Sequence, residues 1–229
     1  MDNMNEDISI LCLSDTEFSS SKLSILLPLL TPYLENARLV VHLGDGISNF
    51  VQALKILAES SQFPKFNKVM SNKEIVYIKG NHDVDSGVTL IVKEMNIANR
   101  KLFFYHGQSF NPIYEHFDVL KNKLRVSLGM SMDLSRYYTN QQRNLIGKYN
   151  VVVHGHIHKP RIEKAEGTVY FCPGGLTHKV ISTKCPISFG VINISNESSL
   201  VKFSIYSFLD NSKGDLYIKL ADSKEYEYS

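Results

Sequence analysis

Five short polar clusters in this sequence combine carboxylate, amide and imidazole groups, the donors that divalent metal ions favour. They are Asp15, Asp45, the run Asn81-His82-Asp83, His106, and the run His154-Gly155-His156-Ile157-His158. Each follows an apolar stretch. Oxygen and nitrogen donors without thiolate suit Mn, Fe, Zn or Co, and a set this large has room for two ions. Two dications about 3.5–4 Å apart can share a water, lower its pKa toward about 7 and neutralise charge on a transferred phosphoryl group. Taken singly, each cluster has a plainer reading. A lone histidine is more often structural, and Gly44-Asp45-Gly46 or Gly80-Asn81-His82-Asp83 alone is an ordinary turn. The five in order, each at the end of an apolar run, are what point to chemistry.

The elements that position these residues read as an alternation of strands and helices, hence an α/β fold. Strands are expected over Ile8–Leu13, Ala37–Leu43 and Glu74–Lys79. A helix over Lys22–Leu34, bent or shortened by Pro28, and a periodic helix over Asn49–Glu59 lie between them. Thr89–Ile97 and Arg100–Tyr105 suit a hairpin around Ala98-Asn99. A mostly polar, helical excursion over about 112–148 then precedes a short strand at Val151–Val153. The C-terminal third reads as all-β, with strands at Thr168–Phe171, Ile187–Ile194 and Leu200–Phe208 and a charged, tyrosine-bearing edge strand or tail. In open α/β sheets ligands collect outside the carboxyl ends of the strands, so side-by-side strands would bring all five clusters to one rim.

Composition excludes several classes. At 229 residues with 43% hydrophobic and 21% charged residues, the chain can bury about 70% of its unfolded surface and is not a disordered segment. Its 25 basic and 23 acidic residues leave +2, with no cationic run of the kind a nucleic-acid binder needs. Cys12, Cys172 and Cys185 are odd in number and widely spaced, which suits reduced thiols in a cytoplasmic protein. The acidic Met1–Asp7 segment is unlike a signal peptide. The longest uncharged stretch falls well short of the ~20 residues that span a bilayer. No repeat, low-complexity block or interdomain linker is evident, so one domain over residues 1–229 is expected.

The order of the motifs resembles the calcineurin-like metallophosphoesterases, small phosphodiesterase-type members in particular. That family reads D-x-H, G-D, G-N-H-[DE], a lone H and G-H-x-H. Here the chain has Asp15-Thr16-Glu17, Gly44-Asp45, Gly80-Asn81-His82-Asp83, His106 and Gly155-His156-Ile157-His158, and Cys172-Pro173-Gly174-Gly175 is similar to the family's N-P-G-[SG] turn. The resemblance covers about residues 8–175. It implies a four-layer αββα sandwich of two mixed β-sheets, with the C-terminal third supplying much of the second sheet. It also implies a phosphoesterase acting through metal-bound hydroxide. Asp15 and His158 would hold the first metal, Asp45 would bridge, and Asn81, His106 and His156 would complete the second. His82 would not ligate; it would lie beside the substrate phosphate as general acid or charge stabiliser.

Glu17 departs from the pattern, standing where the family has histidine. As a ligand it would reduce the formal charge of two dications and their carboxylates from +2 to +1, which favours harder ions. Two divalent ions with Mn foremost, and Fe, Zn, Ni or Co as alternatives, are therefore expected. The alternative is that Glu17 points away and the first site is weak. His42 and His154 read as packed or supporting residues, and His116 and His178 as solvated. Tyr114, Arg125, Arg136, Tyr137, Tyr138 and Arg143 of the excursion could wall the pocket or face solvent. The expected partner is a small phosphate ester, with no membrane and room for a homo-oligomer. Two other readings remain open: an interaction scaffold on the same fold, which Glu17 favours, and a nuclease of the same superfamily.

Overall fold

The computed structural model describes residues 7–84, 87, 89–107, 147–177, 185–211 and 214–228, with isolated positions between 120 and 145. Most of the 112–148 excursion, with Tyr114, His116, Arg136, Tyr137, Tyr138 and Arg143, lies outside the described residues, as does His178.

Strand β1 (Ile8–Leu13) starts the first sheet, and β2 (Leu39–His42) and β3 (Glu74–Tyr77) pair beside it in parallel. Between β1 and β2 the chain is helical in three pieces: α1 (Ser20–Leu26), a 3-10 turn (Leu27–Leu30) and α2 (Thr31–Asn36). Pro28 and Pro32 stand in the first turns of the last two pieces, where a missing N–H costs least. The expected bend is thus a pair of breaks. Helix α3 (Ile47–Glu59) joins β2 to a short helix α4 (Pro64–Met70), which the sequence reading lacked.

The second sheet begins with the expected hairpin, β4 (Val92–Ile97) and β5 (Arg100–Tyr105). Ala98 and Asn99 both take positive φ (49° and 61°), as a two-residue type I′ connection requires. Strands β6 (Val151–His154), β7 (Arg161–Ala165) and β8 (Thr168–Cys172) complete the sheet in the order β4-β5-β6-β8-β7. Strand β7 was not foreseen, because the alternating Arg161-Ile162-Glu163 pattern is short and charged.

Of the expected C-terminal strands only β8 joins the second sheet; the three that follow do not, contrary to expectation. Strands β9 (Ser188–Ile194), β10 (Leu200–Asp210) and β11 (Leu216–Glu227) extend the first sheet antiparallel from β1, giving the order β11-β10-β9-β1-β2-β3. The reason is an open edge on β1, which β9 fills from Ile8↔Ile194 to Cys12↔Gly190. Strand β11 is the edge strand anticipated for the tail.

Both sheets are mixed, and each strand's period of two sorts its residues between layers. Ile10, Cys12 and Val41 of the first sheet meet Phe104, Val153 and Phe171 of the second in the central core. Leu11, Leu13 and Val40 face outward onto Leu23, Leu26, Phe50 and Leu57 of the helices. On the far side, Phe103, Tyr105, Val152 and Tyr170 form an outer cluster with Leu145. Among the described residues no helix is long and apolar enough to cross a membrane, and Cys12, Cys172 and Cys185 are free thiols.

Candidate metal centre

Parallel strands β1, β2, β3, β5 and β6 release the chain at one rim, and the five clusters sit there. Asp15 and Asp45 leave β1 and β2 with φ of 52° and 57°, and His156 and His158 follow β6 at 66° and 54°. Non-glycine residues pay on the order of 1 kcal/mol for this conformation. The other described cases, Ala98, Asn99 and Glu166, lie in hairpin turns. Unfavourable backbone at four candidate ligands is a mark of a functional site. The turns are also tight: a Cβ on Gly80 would overlap the Asp45 carboxylate, which is why glycine stands there.

One group of donors converges on His106, which is 2% exposed. Its Nδ1 donates to the Leu43 carbonyl at 2.6 Å, leaving Nε2 to face the site. Around Nε2 stand Asn81 Oδ1 at 3.1 Å, Asp45 Oδ2 at 3.2 Å and His156 Nδ1 at 3.3 Å. Burial alone would push the His106 pKa down. The Asp45 hydrogen bond and the Asp15 and Asp45 charges outweigh it and raise the pKa to about 9. Burial likewise opposes ionisation of Asp45, but His106 and the His82 N–H hold its carboxyl below the usual range.

Asp15 anchors a second group. Its Oδ2 accepts from Ser14 Oγ at 2.5 Å and from the His156 N–H at 3.1 Å. Its Oδ1 lies 2.9 Å from His158 Nε2 but accepts no hydrogen bond, and His158 Nδ1 is likewise buried without a partner. Against the cost of burial, His158, His106 and Ser14 hold the Asp15 carboxyl down at about 2. A ligand atom of Glu17 lies within 4.8 Å of one each from Asp45 and His82, and its charge also reaches His158, where, against burial and alongside Asp15, it helps raise the imidazole pKa. Asp45 also belongs with His106 and His156 in a second such group. It is the residue common to both.

All eight candidate residues therefore meet at one rim. Imidazoles, an amide and three carboxylates, with donor atoms left unpaired in a buried setting, fit divalent cations. His82 and Asn81 are exposed and form the open side. His154 is buried, its Nδ1 donating to the Gly155 carbonyl at 3.1 Å, and burial pushes its pKa down to about 4. It is a packed residue, as read from sequence. The Cys172–Gly175 turn abuts β1, where the Leu176 N–H donates to the Ser14 carbonyl at 3.0 Å.

The sequence reading gave Asp83 no role. Helix α3 begins at Gly46, which has no side chain to cap it. The Asp83 carboxylate does so from 37 residues away, accepting from the Gly46 and Ile47 N–H groups at 2.9 and 3.0 Å. Its other oxygen takes the Asp45 and Gly80 N–H groups at 2.7 and 2.9 Å. A carboxylate at a helix N-terminus also meets the positive end of its dipole. The only sequence signal for this was a glycine where a capping side chain is usual.

The solved structures that share the architecture include vacuolar protein sorting 29 from Cryptosporidium parvum, at 17% identity and a TM-score of 0.61, covering 97% of this chain and 99% of that one. Vacuolar protein sorting 29 from Chaetomium thermophilum matches at 12% identity and 0.59, covering 97% and 100%. A conserved uncharacterised protein of Streptococcus pneumoniae, described as a predicted phosphoesterase, matches at 17% and 0.54, covering 97% and 99%. At these identities the likeness shows the fold. No curated protein matches in sequence. The profile of the calcineurin-like phosphoesterase superfamily domain matches residues 8–197, which hold every strand that feeds the rim, and the chain belongs to that superfamily.

Proposed function

We propose that residues 1–229 form one domain that acts as a binuclear metal-dependent phosphoesterase, with phosphodiesters favoured as substrates. The observation that carries this reading is the convergence of Asn81, Asp45 and His156 on His106 Nε2, with Asp45 shared by a second group. Asp45, Asn81, His106 and His156 would hold one divalent ion; Asp15, Glu17, Asp45 and His158 would hold the other. When bound, the two ions would supply water activation and charge neutralisation at phosphorus.

The chain's own residues do the rest. His106 is oriented by Leu43, and Asp15 by Ser14 and the His156 N–H, so neither must reorganise to bind. The His82 N–H donates to Asp45 Oδ1 at 2.8 Å, which fixes its loop over the bridging carboxylate. From that open position the imidazole can give a proton to the leaving oxygen. Glu17, at the mouth beside His82, makes the open side richer in carboxylate and suits Mn. The test is hydrolysis of bis-p-nitrophenyl phosphate with added Mn. His82→Ala should lose about 10²-fold or more in kcat and Asp45→Ala nearly all activity.

A second reading, an interaction scaffold, is favoured by Glu17 in place of the family's histidine. A vacuolar protein sorting 29 of the same fold has been solved with a cyclic peptide bound. Inactivity of the wild type with every metal would favour this reading. The nuclease reading has no cationic run to support it.

A further inference from the structure

Two of the strained turns are bolted to each other through a histidine and a threonine that are not themselves proposed ligands. His42 is fully buried at the end of β2, its ring packed on Phe50 with centroids 5.0 Å apart. The Gly44 N–H donates to His42 Nδ1 at 3.2 Å, so the ring's proton is on Nε2. Nε2 lies 2.8 Å from Thr16 Oγ1, which accepts it and passes its own hydrogen to the Gly46 carbonyl at 2.9 Å. The chain Gly44, His42, Thr16, Gly46 thus closes a ring of hydrogen bonds around Asp45. Thr16 is flanked by Asp15 and Glu17. Two backbone bonds run alongside, Asp15 N–H to the Gly44 carbonyl and Thr16 N–H to the Asp45 carbonyl, both 2.8 Å. The turns touch so closely that a Cβ on Gly46 would overlap the Thr16 carbonyl.

We propose that His42 and Thr16 are positioning residues that lock the Asp15–Glu17 turn to the Gly44–Gly46 turn and so set the spacing of the Asp15 and Asp45 carboxylates. Both aspartates sit at positive φ, and a conformation that costs energy persists only where its surroundings over-determine it. The relay supplies three of the five hydrogen bonds described between and around these turns. Burial keeps His42 neutral, pushing its pKa down to about 4, and a neutral ring is the form that accepts from Gly44 and donates to Thr16. The inference rests on the metal reading above, since its readout is the affinity of the two turns for an ion.

The test is Mn binding by titration calorimetry on folded, metal-stripped protein, alongside the melting temperature. Thr16→Val keeps the shape and removes both hydroxyl bonds; Thr16→Ser keeps the hydroxyl. Thr16→Val should weaken Mn binding about 10-fold or more, as loss of an outer partner of a metal ligand does, and Thr16→Ser should restore it to within about threefold. If Thr16→Val does not fold, His42→Gln, which keeps an N–H toward Thr16 but loses the acceptor for Gly44, should show the same direction of change. A folded Thr16→Val protein that melts lower but binds Mn like the wild type would overturn the proposal, because it would make the relay purely structural. A wild type that binds no Mn would instead overturn the metal reading.

Discussion

Asp15 Oδ1 and His158 Nε2 lie 2.9 Å apart, yet the oxygen accepts no hydrogen bond. Two donor atoms at that distance without mutual alignment are placed as neighbours on a shared ion would be. Adding Mn to metal-stripped protein is therefore expected to stabilise the fold by about 2.7 kcal/mol at a hundred times its Kd, read as a rise of several degrees in melting temperature. His106→Ala should remove most of that rise. An unchanged melting curve with excess Mn would count against the site.

Glu17 sets the second expectation. With its carboxylate grouped with Asp45 and His82, the wild type should turn over faster with Mn than with Zn. Glu17→His should reverse that order or bring the two rates level, in assays on metal-stripped protein reloaded with each ion. Equal or faster Zn turnover in the wild type would refute the assignment of Glu17 as a hard-ion donor.

Asp83 carries four backbone N–H groups on one carboxylate, so its loss leaves the start of α3 and the Asp45 turn without acceptors. Asp83→Ala should cost about 2–4 kcal/mol in urea unfolding, more than an exposed cap alone is worth. It should also lower activity at saturating metal, because Asp45 loses its support.

His42 gives a pH dependence. Its folded pKa of about 4 lies below the unfolded 6.5, so the fold favours the neutral ring. Its contribution is complete above pH 6.5 and is lost as pH falls toward 4, at most about 3 kcal/mol for this one group. His42→Asn should be less stable than the wild type at pH 7.5. The gap should narrow on acidification to pH 4.5, as followed by chemical denaturation at each pH.

In the β4–β5 hairpin, Ala98 sits at φ 49°, where a Cβ is unwelcome. Ala98→Gly should raise stability by up to about 1 kcal/mol without altering metal affinity.

Where the sequence was legible, the signal was local. Apolar β-branched runs ending in Asp15, Asp45, Asn81, His106 and His156 announced both the strands and the rim, and Pro28 announced the broken helix. What escaped was non-local. Asp83 caps a helix 37 residues upstream, and Thr16 meets His42 only because β1 and β2 lie side by side. The sheet to which β9 belongs depended on which strand edge stood open, a property no single segment carries. Glu17 was read as a partner of Asp15; that its carboxylate also comes within 4.8 Å of Asp45 and His82 depends on reach across the rim, which no local signal carries.

The proposed ligands are divided between the two sheets. Asp15, Asp45 and Asn81 come from the ends of β1, β2 and β3, while His106, His156 and His158 come from β5 and β6. An ion seated between them is a rivet through the sandwich. It would join parts of the chain more than a hundred residues apart, as Asp15 and His158 are. Loading the site would then damp sliding of one sheet over the other, and the β-sandwich would gain rigidity at that rim.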